Sequence, residues 1–195
     1  MHDEVQIDFN GNRENDTRRK ELEIMHTKAI KLSETFAEKF SIPTLSYTDY
    51  CQMKESANGK TILLVDVRSK AETDISVVQG AISESDFTAL DLEPSKRDVV
   101  IVAYCTIGHR SGRFATELVN KGWPISQVYN GHGVVPWSFE NLPLCKAFDC
   151  PEATTELHVY ANPFNLAHPA FTPHVHGWVS IALDAVSYMC SALRC

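Results

Sequence analysis

The chain has 195 residues, 44% of them hydrophobic and 22% charged, a composition that excludes a disordered polymer, a collagen-like fibre and a coiled-coil rod. Eighteen Lys and Arg against 25 Asp and Glu leave a net charge of −7, which argues against a nucleic-acid binder or an anionic-membrane binder while allowing a local basic site. Six cysteines are too few for a disulfide-built scaffold, and a chain this long can bury a core without one.

The start, Met1-His2-Asp3-Glu4-Val5, is acidic and lacks the apolar stretch of a secretory signal. Residues 1–12 read as a mobile tail, with Asn10-Gly11-Asn12 as a turn signal. From Arg13 to Phe40 there is no Pro or Gly, and Leu22, Met25, Ala29, Leu32, Phe36 and Phe40 recur at helical spacing. One amphipathic helix is expected, docked on the domain or kept for a partner. Ser41-Ile42-Pro43-Thr44 breaks it, and Ser46 or Thr48 caps a short helix through Met53 that ends near Asn58-Gly59. Ile62–Val67 and Val99–Tyr104 are continuous apolar runs, the pattern of strands buried on both faces of a parallel sheet. Ser111–Asn120 reads as a helix stopped by Gly122, and Ile125–Tyr129 as a short strand. Strands alternating with helices define an α/β domain. Beyond Pro143 the chain reads as loop, marked by Asn162-Pro163 and Thr172-Pro173, then a helix over Gly177–Cys195. In that helix Ser180, Asp184, Ser187 and Ser191 make the longest apolar stretch too polar to span a bilayer. A cytoplasmic protein with mostly reduced cysteines is expected.

Chemistry concentrates in Tyr104-Cys105-Thr106-Ile107-Gly108-His109-Arg110-Ser111-Gly112. A buried strand ends at Tyr104 and a helix follows, so Cys105 to Arg110 form a loop at the carboxyl end of a parallel strand, where open α/β sheets place ligands. Such a loop turns backbone N–H groups toward one point, an anion-binding nest reinforced by the helix N-terminus. Gly108 permits positive φ. A cysteine at the mouth of that nest is favoured as its thiolate. Arg110 offers a planar fork for an oxyanion.

This run resembles the active-site loop of single-domain rhodanese-like sulfurtransferases, which read Cys-x-x-Gly-x-Arg-Ser. Leu64-Val65-Asp66-Val67-Arg68 resembles the family's Asp-Val-Arg strand end, Gly80-Ala81-Ile82 the end of its Gly-Ala-Ile segment, and Val128 to Gly133 with Trp137 its Gly-Gly plus Trp element. The resemblance covers about half the chain, from Leu45 to Leu144. Two departures stand out. Ser76-Val77-Val78-Gln79 replaces a His-Ile-Pro segment at the edge of the substrate mouth, and His132 stands where a second glycine is usual. Phosphatases of this fold carry Cys-x5-Arg preceded by His; here the loop is Cys-x4-Arg preceded by Tyr104.

The resemblance implies a rhodanese-like open parallel sheet flanked by helices over 42–144. It would carry an N-terminal helical extension over 1–41 and a C-terminal loop-plus-helix extension over 145–195. It implies a sulfurtransferase in which Cys105 takes sulfane sulfur from thiosulfate or a low-molecular-weight persulfide. The Cys105 persulfide then passes it to cyanide, glutathione or a protein thiol. Cys105 and Arg110 would be catalytic, and Thr106, Ile107, Gly108, His109, Ser111 and Arg68 would line the substrate. No metal or organic cofactor, nucleic acid or membrane is expected as a partner. The alternatives are a catalytically weak interaction or persulfide-sensing module and, disfavoured by the loop spacing, a cysteine phosphatase or arsenate reductase.

Other residues carry blander expectations. Asp66 and Arg68 suggest a structural ion pair, with Arg68 able to add positive potential at a strand end. His109 is expected to face solvent, or to assist proton transfer. Trp137 should pack against the base of the loop. Gly131-His132-Gly133 lacks the context of a dinucleotide loop. His158, His168, His174 and His176 read as surface loop rather than metal ligands. Cys145, Cys150, Cys190 and Cys195 lack zinc spacing, and one of them could resolve a Cys105 persulfide.

Overall fold

The computed structural model describes residues 9–94, 98–161 and 164–175, with side chains from residue 15 onward. In chain order the elements are α1 (Phe9–Ala37), β1 (Thr44–Leu45), α2 (Tyr47–Glu55), β2 (Thr61–Asp66), α3 (Lys70–Thr73), β3 (Val77–Val78), β4 (Ile82–Ser83) and α4 (Glu84–Ala89). Then follow β5 (Val99–Tyr104), α5 (His109–Asn120), β6 (Val128–Gly131), α6 (Val134–Trp137), β7 (Leu144–Ala147), β8 (Cys150–Thr154), β9 (Glu156–His158) and β10 (Thr172–His174).

Five strands form one parallel sheet in the order β1-β6-β5-β2-β4. The continuous apolar run in β5 is explained by its place at the centre, where all six residues are buried. Alternation along β5 then divides the core. Val102 and Tyr104 join Leu64, Val134 and Trp137 on the face covered by α1 and α6. Ile101, Ala103 and Cys105 join Val65, Phe87, Ala115 and Leu118 on the face covered by α4 and α5.

Local signals account for most boundaries. Ser46 caps α2 by accepting a hydrogen bond from the Asp49 N–H at 3.0 Å, as its position before the helix requires. Ser83 does the same for α4 with the Asp86 N–H. Gly122, with φ at +100°, stops α5 as expected.

α1 differs from expectation at its start. It begins at Phe9, so Asn10-Gly11-Asn12 lies within the helix rather than forming a turn in a tail. Its buried line is Ala29, Ser33 and Ala37, at steps of four. These small residues let the helix backbone approach the domain, while Leu32 and Phe36 pack beside them.

The region after Pro143 is also corrected. Instead of loop, it holds an antiparallel sheet, β3-β7-β8, and a parallel pair, β9 with β10. Val77 and Val78, the segment that departs from the family pattern, are the β3 strand and pair with Cys145 and Leu144. Pro173 sits inside β10, at a sheet edge where a missing N–H is tolerated. Ile125–Gln127 is a 3-10 turn, with the strand starting only at Val128. The expected helix over Gly177–Cys195, Asn162-Pro163 and His176 lie outside the described residues. Among the described residues no helix is long and apolar enough to cross a membrane.

Candidate active site

β5 delivers Cys105 to the carboxyl end of the central strand. The chain then leaves the sheet and enters α5, for which Gly108 is the N-cap residue with φ at +85°. The loop is braced from below. The Cys105 and Thr106 carbonyls accept hydrogen bonds from the Val134 and Val135 N–H groups at 3.0 and 3.1 Å, and Asn130 Nδ2 donates to the Gly108 carbonyl at 3.0 Å. Gly133 is needed for this approach, because a Cβ there would stand 2.6 Å from the Thr106 carbonyl. Trp137 is fully buried and donates from Nε1 to the Leu45 carbonyl at 3.2 Å, the structural role expected of it.

Cys105 is 1% exposed, and the Ser111 hydroxyl donates to its sulfur at 3.4 Å. Of the predicted site residues, Ser111 is therefore the one whose side chain the fold brings directly to Cys105. Thr106 and Ile107 are buried as well. Ile107 packs its side chain into the core beside Val134, so only its backbone is available to a ligand.

Arg110 is organised by a residue that sequence reasoning missed. Its Nη1 and Nη2 donate to Glu72 Oε2 and Oε1 at 2.5 and 2.7 Å, a fork-to-fork pair. Thr106 Oγ1 donates to Glu72 Oε1 at 3.0 Å, and Ser69 reaches Glu72 Oε2 with both its N–H and its hydroxyl. Burial by itself would raise the Glu72 carboxyl. The hydrogen bonds from Arg110 and His158 and the Arg110 charge outweigh burial and hold it well below the usual carboxylate range. The expectation of an uncompensated positive charge at the loop is thus corrected: a carboxylate with no exposed surface balances Arg110. The signal for Glu72 was present as Ser69-x-x-Glu72, a helix-capping pattern. Only the fold turns that cap toward Arg110.

Arg68 does not face the loop mouth as a free cation. Its guanidinium binds Asp66 at 2.7 Å and the Ser76 carbonyl at 2.7 Å, and both side chains of the pair are fully buried. Burial opposes the charge of Arg68, but Asp66 more than compensates and raises its pKa. Tyr104 donates to Asp66 at 2.5 Å and accepts from the Val78 N–H, so this network ties the end of β2 to β5 and β3. The structural ion pair expected of Asp66 and Arg68 is present, and the expectation of Arg68 as a substrate ligand is corrected.

His109 is also corrected, since it does not face open solvent. Its ring meets Phe36 and Phe40 edge-on at 5.4 and 5.6 Å. Partial burial lowers its pKa first, and the charges of Lys39, Arg113 and Arg110 lower it further. His132, the residue in place of a second glycine, lies 3.1 Å through Nδ1 from Ser33 Oγ of α1. His174 pairs with Glu156, and His168 lies beside Phe139. Among the described residues no group of three or more His, Cys, Asp or Glu could hold a metal ion.

Chemically, the arrangement is a thiol at the N-terminus of a 12-residue helix, touched by one hydroxyl and enclosed by a rigid backbone loop. The first-turn N–H groups of such a helix favour negative charge on sulfur or on a bound anion.

The fold is mixed α/β, with a central parallel sheet flanked by helices and a cysteine loop at its carboxyl edge. The family model of the rhodanese-like domain matches residues 50–138, and the chain carries a rhodanese-like domain there. No curated protein matches the chain. Among solved structures, it is similar to a protein of unknown function from Rhodopseudomonas palustris described as a possible tyrosine phosphatase. That match has 23% identity and a TM-score of 0.44, covering 60% of this chain and 93% of the other. Thiosulfate sulfurtransferase from Pseudomonas aeruginosa matches at 17% identity and a TM-score of 0.45, over 66% of this chain and 24% of that one. The rhodanese-like domain of an Anabaena protein matches at 16% identity and a TM-score of 0.40, over 66% of this chain and 94% of the other.

Proposed function

We propose that the protein is a sulfurtransferase in which Cys105 carries a sulfane sulfur from thiosulfate or a low-molecular-weight persulfide to a thiophilic acceptor. The observation that carries this reading is the placement of Cys105 between the central strand and the α5 N-terminus, with the Ser111 hydroxyl 3.4 Å from its sulfur. The Cys105 thiolate attacks the outer sulfur of the donor. The S–S bond of the donor breaks, and its electron pair leaves with sulfite or with the donor thiolate. The resulting persulfide gives its outer sulfur to cyanide or a thiol, and the Cys105 thiolate returns. Two such displacements predict ping-pong kinetics. In this reading the loop from Thr106 to His109 cradles the transferred sulfur through its backbone. Arg110, held by Glu72 and Thr106, fixes the far end of the loop. The flanking segments 1–41 and 145–195 act as extensions of the domain, and the proposed location is the cytoplasm, whose reducing conditions suit a thiol carrier.

The test is intact mass spectrometry after incubation with thiosulfate or a small persulfide. A gain of about 32 Da on the Cys105 peptide is expected. Sulfur transfer by a Cys105→Ser variant at the wild-type rate would defeat the proposal.

A second reading has its own support. With Cys105 at 1% exposure and the Arg110 charge balanced by Glu72, the domain also fits a persulfide-sensing or interaction module of weak turnover. Persulfide formation on Cys105 without onward transfer to any thiol would favour it.

A further inference from the structure

Segments outside the rhodanese-like domain meet at the last two residues of its cysteine loop. Phe36 near the end of α1 and Phe40 just beyond it meet His109 edge-on at 5.4 and 5.6 Å. Phe36 then reaches Phe164 at 6.3 Å, Phe164 reaches Tyr160 at 6.2 Å, and Tyr160 lies 5.4 Å from the Arg110 guanidinium. The arc begins on the fifth residue of the loop and ends on its sixth. Its α1 end is anchored on the domain. Ser33 is fully buried and donates to the His132 carbonyl at 2.9 Å, and a Cβ on Gly108 would stand 3.2 Å from the Ser33 hydroxyl. Phe40 lies so close to α5 that a Cβ on Gly112 would meet its ring at 2.3 Å. In the loop whose last two residues the arc contacts, Cys105, Thr106 and Ile107 are 1%, 2% and 5% exposed. Phe36, Phe40, Tyr160 and Phe164 are each only half-buried.

We infer that this aromatic arc is a size filter, restricting the sulfur acceptor of Cys105 to small thiols or cyanide and excluding a folded protein thiol. The inference rests on the sulfur-carrier reading for its choice of substrate. The distances of sulfur chemistry decide between acceptors. Two bonded sulfurs hold their α-carbons about 5.5–6 Å apart, and the extra sulfur of a persulfide adds about 2 Å. A protein acceptor must therefore bring its main chain to within about one nanometre of Cys105, into the space the arc occupies. Cyanide or a small thiol needs only a gap between the rings.

The experiment labels the full-length protein with N-ethylmaleimide and, separately, with a polyethylene-glycol maleimide of protein-like bulk. Peptide mapping reads the rate at Cys105 apart from the other cysteines. The expected result is a large excess of the small reagent's rate over the bulky one's in the wild type. Phe36→Ala should reduce that ratio about tenfold, the factor that one aromatic contact can hold. Tyr160→Ala opens the arc from its other end and carries the test if Phe36→Ala does not fold. Equal rates of the two reagents in the wild type would overturn the filter. So would an unchanged ratio in a folded arc variant. Sulfur loading is read on the same samples by mass. Loss of loading with the size gap intact sinks the carrier reading alone, and loading without a size gap sinks the filter alone.

Discussion

At the scale of single residues, Ser111 and Glu72 separate chemistry from architecture. The Ser111 hydroxyl is the polar side-chain group on the Cys105 sulfur, so Ser111→Ala should slow sulfur loading about fivefold, the equivalent of one hydrogen bond of about 1 kcal/mol. Stopped mass-spectrometric time courses measure it, and an unchanged rate would remove Ser111 from the mechanism. Glu72→Gln should instead act on stability. It leaves Arg110 without its buried counter-charge, and breaking such a pair costs about 3 kcal/mol. The Glu72 carboxyl is depressed in the folded state, so its contribution is complete above the ordinary carboxyl value of 4.5 and is lost as pH falls through the folded value. Urea unfolding should show a wide gap between wild type and Glu72→Gln at neutral pH that narrows on acidification. Arg110 was legible from its spacing to Cys105. Its partner was not, because the two residues are 38 positions apart and only the sheet brings them together.

At the scale of elements, the end of β2 is locked to β5 and β3 by one hydroxyl. Tyr104→Phe strands the Val78 N–H in a buried setting and removes one of the hydrogen bonds on Asp66, so unfolding free energy should fall by about 2 kcal/mol. Chemical denaturation checks this. α1 has a different weakness, at His109. Its neighbours there are Phe36 of α1 and Lys39 and Phe40 just beyond it, with Arg110 and Arg113 on its own helix. Its folded pKa lies below the ordinary 6.5, so the unfolded or undocked state binds the proton more tightly. Docking of α1 is therefore unaffected above 6.5 and weakens as pH falls below it toward the folded value. Proteolysis within α1 should accelerate over that window in the wild type, and much less in a His109→Phe variant. The helix itself was visible in the sequence as apolar residues at steps of three and four. Its extension back to Phe9 was not, since Asn10-Gly11-Asn12 is a turn signal that the continuing helix overrides.

At the scale of the whole molecule, stability should be graded outward from the central strands. β5 is buried along its whole length and β2 pairs with it over six residues, so their amides should exchange last with deuterated solvent. Those of the two-stranded β9 and β10 pair should exchange earlier, because the pair is only three residues long and β10 is largely exposed. The net charge of −7 describes the surface of this molecule and not its site. At the loop, the Arg110 charge is already met by Glu72, so in the proposed sulfur transfer the donor would be held by backbone N–H groups more than by a free cation. That distinction came from the assembled molecule alone.

The sequence by itself determined the two central strands β2 and β5, the loop and the cysteine. Continuous apolar runs can be buried only as central parallel strands, and a glycine-bearing loop between strand and helix places its first residue at the sheet's carboxyl edge. These are local consequences of side-chain pattern and backbone freedom, readable without neighbours. Tertiary structure alone decided what surrounds that cysteine. It spent Arg110 on Glu72, turned His109 toward Phe36 of α1, paired the segment after Pro143 with β3, and joined Phe36 to Phe164. Each of these pairs residues distant in the chain, where the energy of burying an ion or a ring depends on the partner delivered to it rather than on the residue itself.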